Sequence, residues 1–480
     1  MKFKSALISN LSYQFINLTL TIVCIPIYLE ILNLKFLGVW NLIALVLAWS
    51  VVLEFGIPNL TIRKIKQELK EAENHYKSKE IFQSLKKSLL ILNGAAIGIV
   101  SLIVIMSPNL RHVLAPFSVV GVGFVVMALV LKNLDVLNRH VLLAHDRYVE
   151  ANIVALTGAI TKHGFALLIF NNFSIDYDLL LWPLIISTFL AYAVSLYLSK
   201  DLTRLINIKS KAKHFSKADF NYAKGFFVTN LGSLAALQVD KLFLVSIATL
   251  EEFATYGLAV VPAGLIYAVS VPIQNAVFPQ LLRLYNRDLR SFYSVQYVVS
   301  SSLFIPLISG GLFLMYFGEA LLAYWLNNAD LVTSTYQVFR LLVIANIFGF
   351  MTGLIFTYGN VVGHVSVMSA SSFISPIGLI ICAYPLYHIY GIVGIGLSWF
   401  IIEFLGVIFY PFFVLKTLGK SYQSFLYSVR DAMIAAVGML LLFWVSSDMH
   451  LELQIALAGT VVMITMFVNI RRLIKVIKET

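Results

Sequence analysis

Six ionisable residues interrupt long apolar runs of this chain: Lys132, Lys162, Asp240, Lys241, Arg340 and Glu403. Lys162 is the plainest case, flanked by Ile153-Val154-Ala155-Leu156 and by Phe165-Ala166-Leu167-Leu168-Ile169-Phe170. A charge at bilayer depth costs about 2.5–3.5 kcal/mol on insertion scales, so it normally faces protein or a water-filled cavity and marks a path for something polar. Two signs of charge fit two tasks. Lys162, Lys241, Arg340 and Lys132 are candidates for a cationic cavity that attracts an anionic group such as phosphate. Asp240, Glu403 and Glu54 are candidates for taking up and releasing a proton or Na⁺, or for neutralising a lysine in a buried pair. Adjacent residues on a helix do not face each other, so Asp240 and Lys241 are expected to find different partners.

These residues need helices to hold them at depth. The 480 residues are 59% hydrophobic and 12% charged, whereas soluble domains run about 45–50% apolar and about 25% charged. A spanning helix takes about 20 mostly apolar residues. Fourteen such segments are expected: 5–30, 37–60, 88–107, 113–138, 150–171, 179–199, 224–249, 253–281, 294–317, 337–358, 366–387, 391–415, 428–447 and 452–470. They are too long and too little alternating for barrel strands, so the class is an all-α integral membrane protein. The apolar N-terminal segment runs through Pro26 to Leu32 without a small-residue cleavage site and reads as a retained first helix.

Charge orients the spans. With the N-terminus in the cytoplasm, the inside segments carry 29 of the 35 Lys+Arg, the outside segments carry Lys35 and Arg111, and Lys132, Lys162, Lys241 and Arg340 remain within spans. That asymmetry follows the positive-inside rule and places both termini in the cytoplasm. The net charge of +11 is therefore topological rather than a sign of nucleic-acid binding. Residues 61–87 mix both signs and read as a short amphipathic helix on the inner surface, and 200–217 read as a basic linker. On these spans Lys162 and Glu403 lie roughly 18 Å from an end, near the middle of a core about 30 Å thick. Lys241 lies somewhat outward, and Arg340 near the outer end. Lys132 and Asp135 lie near the inner end, where a long side chain snorkels.

Polar faces add to the picture. Asn10, Gln14, Asn17 and Thr21 fall on one face of span one, and Asn230, Ser233 and Asp240 near one face of span seven. Pro262, Pro272 and Pro279 bracket Gln274-Asn275 in span eight, where freed carbonyls line a cavity or are met by neighbours. The same stripes also suit interhelical hydrogen bonds. Phe36-Leu37-Gly38 and Thr255-Tyr256-Gly257 open two spans 219 residues apart. This weak repeat suggests an N-terminal six-helix lobe (1–217), a C-terminal six-helix lobe (218–420) and an appended hairpin with a cytoplasmic tail (421–480). Repeats of this kind place substrate at their interface.

Several classes are excluded. Gly419-Lys420-Ser421 lacks the earlier glycine of a phosphate-binding loop, Val414 standing in its place. No His-Glu-x-x-His motif occurs, the nine histidines do not cluster, and Cys24 and Cys382 define no disulfide framework. An enzyme is not expected, nor a metal or bound cofactor beyond a coupling H⁺ or Na⁺.

Pro26-Ile27-Tyr28 with Leu37-Gly38-Val39-Trp40, Glu54-Phe55-Gly56-Ile57, Gln238-Val239-Asp240-Lys241, Ala254-Thr255-Tyr256-Gly257 and Phe278-Pro279-Gln280-Leu281 together resemble a known family. It is the polysaccharide-transporter, O-antigen flippase (Wzx-type) branch of the multidrug/oligosaccharidyl-lipid/polysaccharide (MOP) flippase superfamily. Glutamate replaces the usual smaller acid before Phe-Gly. The resemblance implies two six-helix lobes around a central cationic cavity and alternating access. It implies a bacterial inner-membrane flippase moving undecaprenyl-diphosphate-linked oligosaccharide of O-antigen or capsule type to the periplasmic leaflet. Lys162, Lys241 and Arg340 would then meet the diphosphate or acidic sugars while the lipid tail stays in a groove. Glycan polymerase and glycosyltransferases would be partners. A cation-coupled multidrug exporter of the same superfamily and a non-transporting scaffold for glycan assembly are the alternatives.

Overall fold

The computed structural model describes residues 2–71, 75–106, 116–203, 217–266, 277–278, 281–362, 365–415 and 420–479. Among these there is no strand. Thirteen helices are long and apolar enough to cross a membrane. Residues 267–276, 279 and 280, and with them Gln274, Asn275, Pro272 and Pro279, lie outside the described residues, as does most of the second half of the span expected at 253–281.

The chain divides into two compact units, Met1–Ala254 and Thr255–Thr480. The first holds α1 (Lys2–Ile31), α2 (Leu34–Ala48), α3 (Ile57–Glu71), α4 (His75–Met106), α5 (Val119–Ala144), α6 (Tyr148–Asn172), α7 (Trp182–Thr203) and α8 (Lys217–Ile247). α9 (Leu250–Ala263) crosses the division. The second unit continues with α10 (Leu289–Leu326), α11 (Ala329–Val362), α12 (Val365–Tyr390), α13 (Ile392–Tyr410), α14 (Lys420–Val445) and α15 (Leu451–Glu479). The division after Ala254 and the boundary expected at 217/218 differ by α8, which packs on α2, α3 and the short 3₁₀ segment Trp49–Glu54 of the first unit. Residues 421–480 form two helices as expected, and both lie along α10, burying Phe317, Met439, Phe443 and Ala458.

Three helix ends move from their expected places, and each shift bears on the site. The span expected at 37–60 is α2 plus the 3₁₀ segment and ends at Glu54, because Phe55 (φ 52°) and Gly56 (φ 71°) turn left-handed and the chain restarts as α3. α3 holds the first part of the expected amphipathic segment, with Ile57, Leu60 and Ile65 buried against Phe82, Leu85, Leu137 and Val141, Arg63 and Lys66 exposed, and Glu68 buried. The basic residues Lys77, Lys79, Lys86 and Lys87 belong not to it but to the first turns of α4, which starts at His75 rather than near residue 88. α5 begins at Val119 and runs to Ala144, six residues beyond the expected segment end at 138. Ser118 sets that start: its hydroxyl accepts the Gly121 N–H at 2.9 Å, the usual role of an N-cap serine.

Candidate functional site

The later register of α5 changes the depth of its charges. Lys132 stands 13 residues from Val119 and 12 from Ala144, so it sits mid-helix and not near the inner end. Lys132, Asp135 and Arg139 follow at spacings of three and four, which puts them on one face of α5. α5 and α6 both pack on α7, and α6 packs on α1. Lys162 of α6 is thereby brought to the same place. Lys132, Asp135, Arg139 and Lys162 line one cavity of about 260 Å³ within the first unit, closed by Tyr13, Ser187 and Thr188 among others.

Three cations face one carboxylate there, and their partners differ. The Lys132 ammonium donates to the Leu47 carbonyl, at the point where α2 gives way to 3₁₀ geometry. Arg139 pairs with Asp135 at 3.1 Å. Glu54 is buried, 7% exposed, and lies within electrostatic reach of Arg139 and Lys132. Lys162 makes no hydrogen bond or ion pair among the described residues. An ammonium inside a spanning helix that finds no partner among the described residues calls for a polar partner of another kind.

The wall behind Lys162 is rigid. His163 Nδ1 and the Tyr28 hydroxyl are 2.8 Å apart, joining α6 to α1. Tyr28, Trp40 and Phe170 pack edge-to-face at centroid distances of 5.5–5.9 Å. His163 is thus a bonded core residue. Beneath the cavity, Asn133 donates to Asn93 at 2.6 Å, and Asn93 donates to the Leu53 carbonyl at 2.9 Å, holding α5, α4 and the 3₁₀ segment together.

The remaining expected residues lie elsewhere. Lys241 Nζ is 3.8 Å from Asp240 Oδ1 and donates to the Leu237 carbonyl at 3.1 Å. Lys241 thus donates its hydrogen bond to a backbone carbonyl one turn back rather than to Asp240, and Asp240 keeps a contact of its own. Arg340 is exposed on α11, 6.0 Å from the Tyr336 ring centroid. Glu403 accepts from the Thr352 hydroxyl at 3.0 Å within the second unit and pairs with no described cation. Asn10 accepts from Asn152 at 2.6 Å, a bond between α1 and α6, so at this position the stripe of span one is interhelical glue. Gln14, Asn17 and Asn230 are half-buried and do not line the cavity. Arg139 is the cavity residue missing from the expected set, because it falls one residue past the segment expected at 113–138. Its spacing from Lys132 and Asp135 was the available signal, hidden by the early end drawn for the span.

The fold is that of the MOP-type membrane transporters. The chain is similar to the lipid II flippase MurJ in an inward closed conformation, at a TM-score of 0.71 and 15% identity, covering 97% of this chain and 99% of that one. It is similar to an inward-facing multidrug resistance MATE family transporter of the MOP superfamily, at 0.60 and 13%, covering 89% and 98%. A MOP superfamily transporter from Pyrococcus furiosus matches at 0.53 and 13%, covering 90% and 96%. No protein-family model and no curated protein matches the chain.

Proposed function

We propose that this chain is a flippase that carries the anionic headgroup of a lipid-linked oligosaccharide across the bilayer by alternating access. The observation that carries the reading is the unpartnered Lys162 ammonium in a cavity it shares with Lys132 and Arg139. A diphosphate supplies the negative charge that such a cavity lacks, and charge-assisted bonds to phosphate oxygens are the strong kind. A site for organic cations would instead present carboxylates in excess. The likeness in fold to MurJ supports the same direction.

The finer reading is an undecaprenyl-diphosphate-linked repeat unit of O-antigen or capsule type, moved outward across a bacterial inner membrane by a chain with both termini in the cytoplasm and two lobes. Glycan polymerase and glycosyltransferases would act beside it. Glu403 is the proposed site for a coupling H⁺ or Na⁺, and no other cofactor is invoked. The test is complementation of a strain lacking its own oligosaccharide flippase. Lys162→Ala should abolish the surface-polysaccharide ladder while membrane insertion is unchanged. A normal ladder would overturn the reading. Raised drug tolerance without any effect on glycan would support an exporter instead, and loss of no phenotype on neutralising all the embedded charges would support a scaffold.

A further inference from the structure

A second cavity of the first unit takes no part in that reading. It has a volume of about 400 Å³ and opens between the Phe55-Gly56 turn, α4 and the start of α8, with Phe55, Ile57, Ser88, Ile91, Leu92 and Phe227 on its wall. Its shape is built in. Gly56 sits so close to α8 that a Cβ there would come 2.1 Å from the Ala223 carbonyl oxygen. The left-handed Phe55 brings its ring onto Phe227, stacked at 5.8 Å. A bulky side chain rarely adopts that backbone conformation, and such outliers concentrate where a binding surface is being shaped.

The wall is apolar except for Ser88, whose hydroxyl already donates to the Ser84 carbonyl at 3.1 Å, and Lys224. Lys224 is exposed and makes no hydrogen bond or ion pair among the described residues. Two further cations adjoin the wall without lining it. Lys87, exposed, precedes Ser88, and the Arg63 guanidinium lies 4.1 Å over the ring of Tyr222, next to Ala223. Ser88 directly follows Lys86-Lys87, and Lys224 lies in the N-terminal part of α8, a helix that begins at Lys217. The cavity therefore lies toward the basic ends of α4 and α8, and anionic headgroups gather at the membrane face that such basic segments occupy.

We infer that this cavity holds an acyl chain of an anionic phospholipid from that leaflet, with the lipid phosphate against Lys224. An apolar interior wants a hydrocarbon, and a rim of one charge sign selects an acidic headgroup over a zwitterionic one. The inference rests on the positive-inside orientation and not on the identity of any transported substrate. It is tested on the full-length protein, delipidated in a neutral detergent and titrated with phosphatidylglycerol, phosphatidylcholine or undecaprenyl diphosphate, with bound lipid read by native mass spectrometry. One phosphatidylglycerol should be retained in preference to phosphatidylcholine. Lys224→Gln should weaken it about fivefold, the effect of one basic side chain at a headgroup, without changing phosphatidylcholine. Ile91→Trp, at an exposed position of the wall, should displace it. Equal retention of the two phospholipids, or binding indifferent to both substitutions, would overturn the inference. So would preferential, Lys224-dependent capture of undecaprenyl diphosphate, which would make the cavity a substrate-tail site. If Ile91→Trp fails to fold, Lys224→Gln, a surface change, still decides.

Discussion

His163 Nδ1 and the Tyr28 hydroxyl, 135 residues apart in sequence, lie 2.8 Å from each other in a buried contact that fastens α6 to α1 one residue beyond Lys162. The bond, with the aromatic cluster around it, fixes the helix whose lysine reaches the cavity. Removing one partner leaves the other buried and unsatisfied, at a cost of about 1–3 kcal/mol. Tyr28→Phe should lower the unfolding temperature of the purified protein, and His163→Phe should do so at least as strongly. Complementation by Tyr28→Phe should stay close to wild type, because no charge of the cavity is altered. Unchanged thermal stability in both variants would show the pair to be incidental.

The cavity charges should be separable by substitution. Lys162→Arg keeps a cation and should retain part of the activity, whereas Lys162→Gln should lose about tenfold or more, the order expected when a charge-assisted bond to phosphate worth about 1.5–3 kcal/mol disappears. Glycan export measured at matched membrane levels makes the comparison. Equal activity of the Gln and Arg forms would mean that the charge of Lys162 is not used.

Gly56 should tolerate no side chain. Its φ of 71° is unfavourable for any L-residue, and a Cβ would meet the Ala223 carbonyl oxygen at 2.1 Å. Gly56→Ala should cost on the order of 1–3 kcal/mol from backbone strain alone, with more from the forced separation of α8. The readout is the yield of folded protein by fluorescence-detected size exclusion. Wild-type yield and melting would contradict the close packing of turn and helix.

Lys64 and Asp219 meet at 2.6 Å with side chains 19% and 14% exposed, tying α3 to the first turn of α8. Because the pair is largely sheltered, a double-mutant cycle of Lys64→Ala and Asp219→Ala should give a coupling of about 1 kcal/mol, the upper end for accessible pairs. Raising the salt should shrink the coupling. Strict additivity of the two substitutions would count against the contact.

The class of protein was readable because hydropathy and length are local properties. The apolar runs mark the helices, and the mixed charge after residue 61 marks an amphipathic helix, whose buried Ile57 and Leu60 the sequence pattern instead assigns to the preceding span. The place of Lys162 well inside its helix, Tyr148–Asn172, agrees with counting along the span expected at 150–171. Helix ends were less legible. The stop at Phe55-Gly56 depends on a backbone conformation held by packing against α8, and the late start of α5 hangs on one capping serine.

What the chain alone determined is therefore its medium, its helical class and the presence of charges at depth, all of which follow from transfer energies summed along contiguous residues. What only the tertiary structure decided is which charges meet. The one-dimensional pattern grouped Lys132, Lys162, Lys241 and Arg340 as one cationic set and left Arg139 outside the span, yet the packing of α5 and α6 on α7 brings Lys132, Lys162 and Arg139 to one cavity that neither Lys241 nor Arg340 lines. It left Lys241 looking for a distant partner, and the structure supplies the Leu237 carbonyl one turn back, with Asp240 Oδ1 3.8 Å away. Helix periodicity specifies the direction of a side chain about its own axis. Whether that direction meets a carbonyl, a carboxylate or open space depends on rotations and offsets between helices, which are set by packing among residues far apart in sequence.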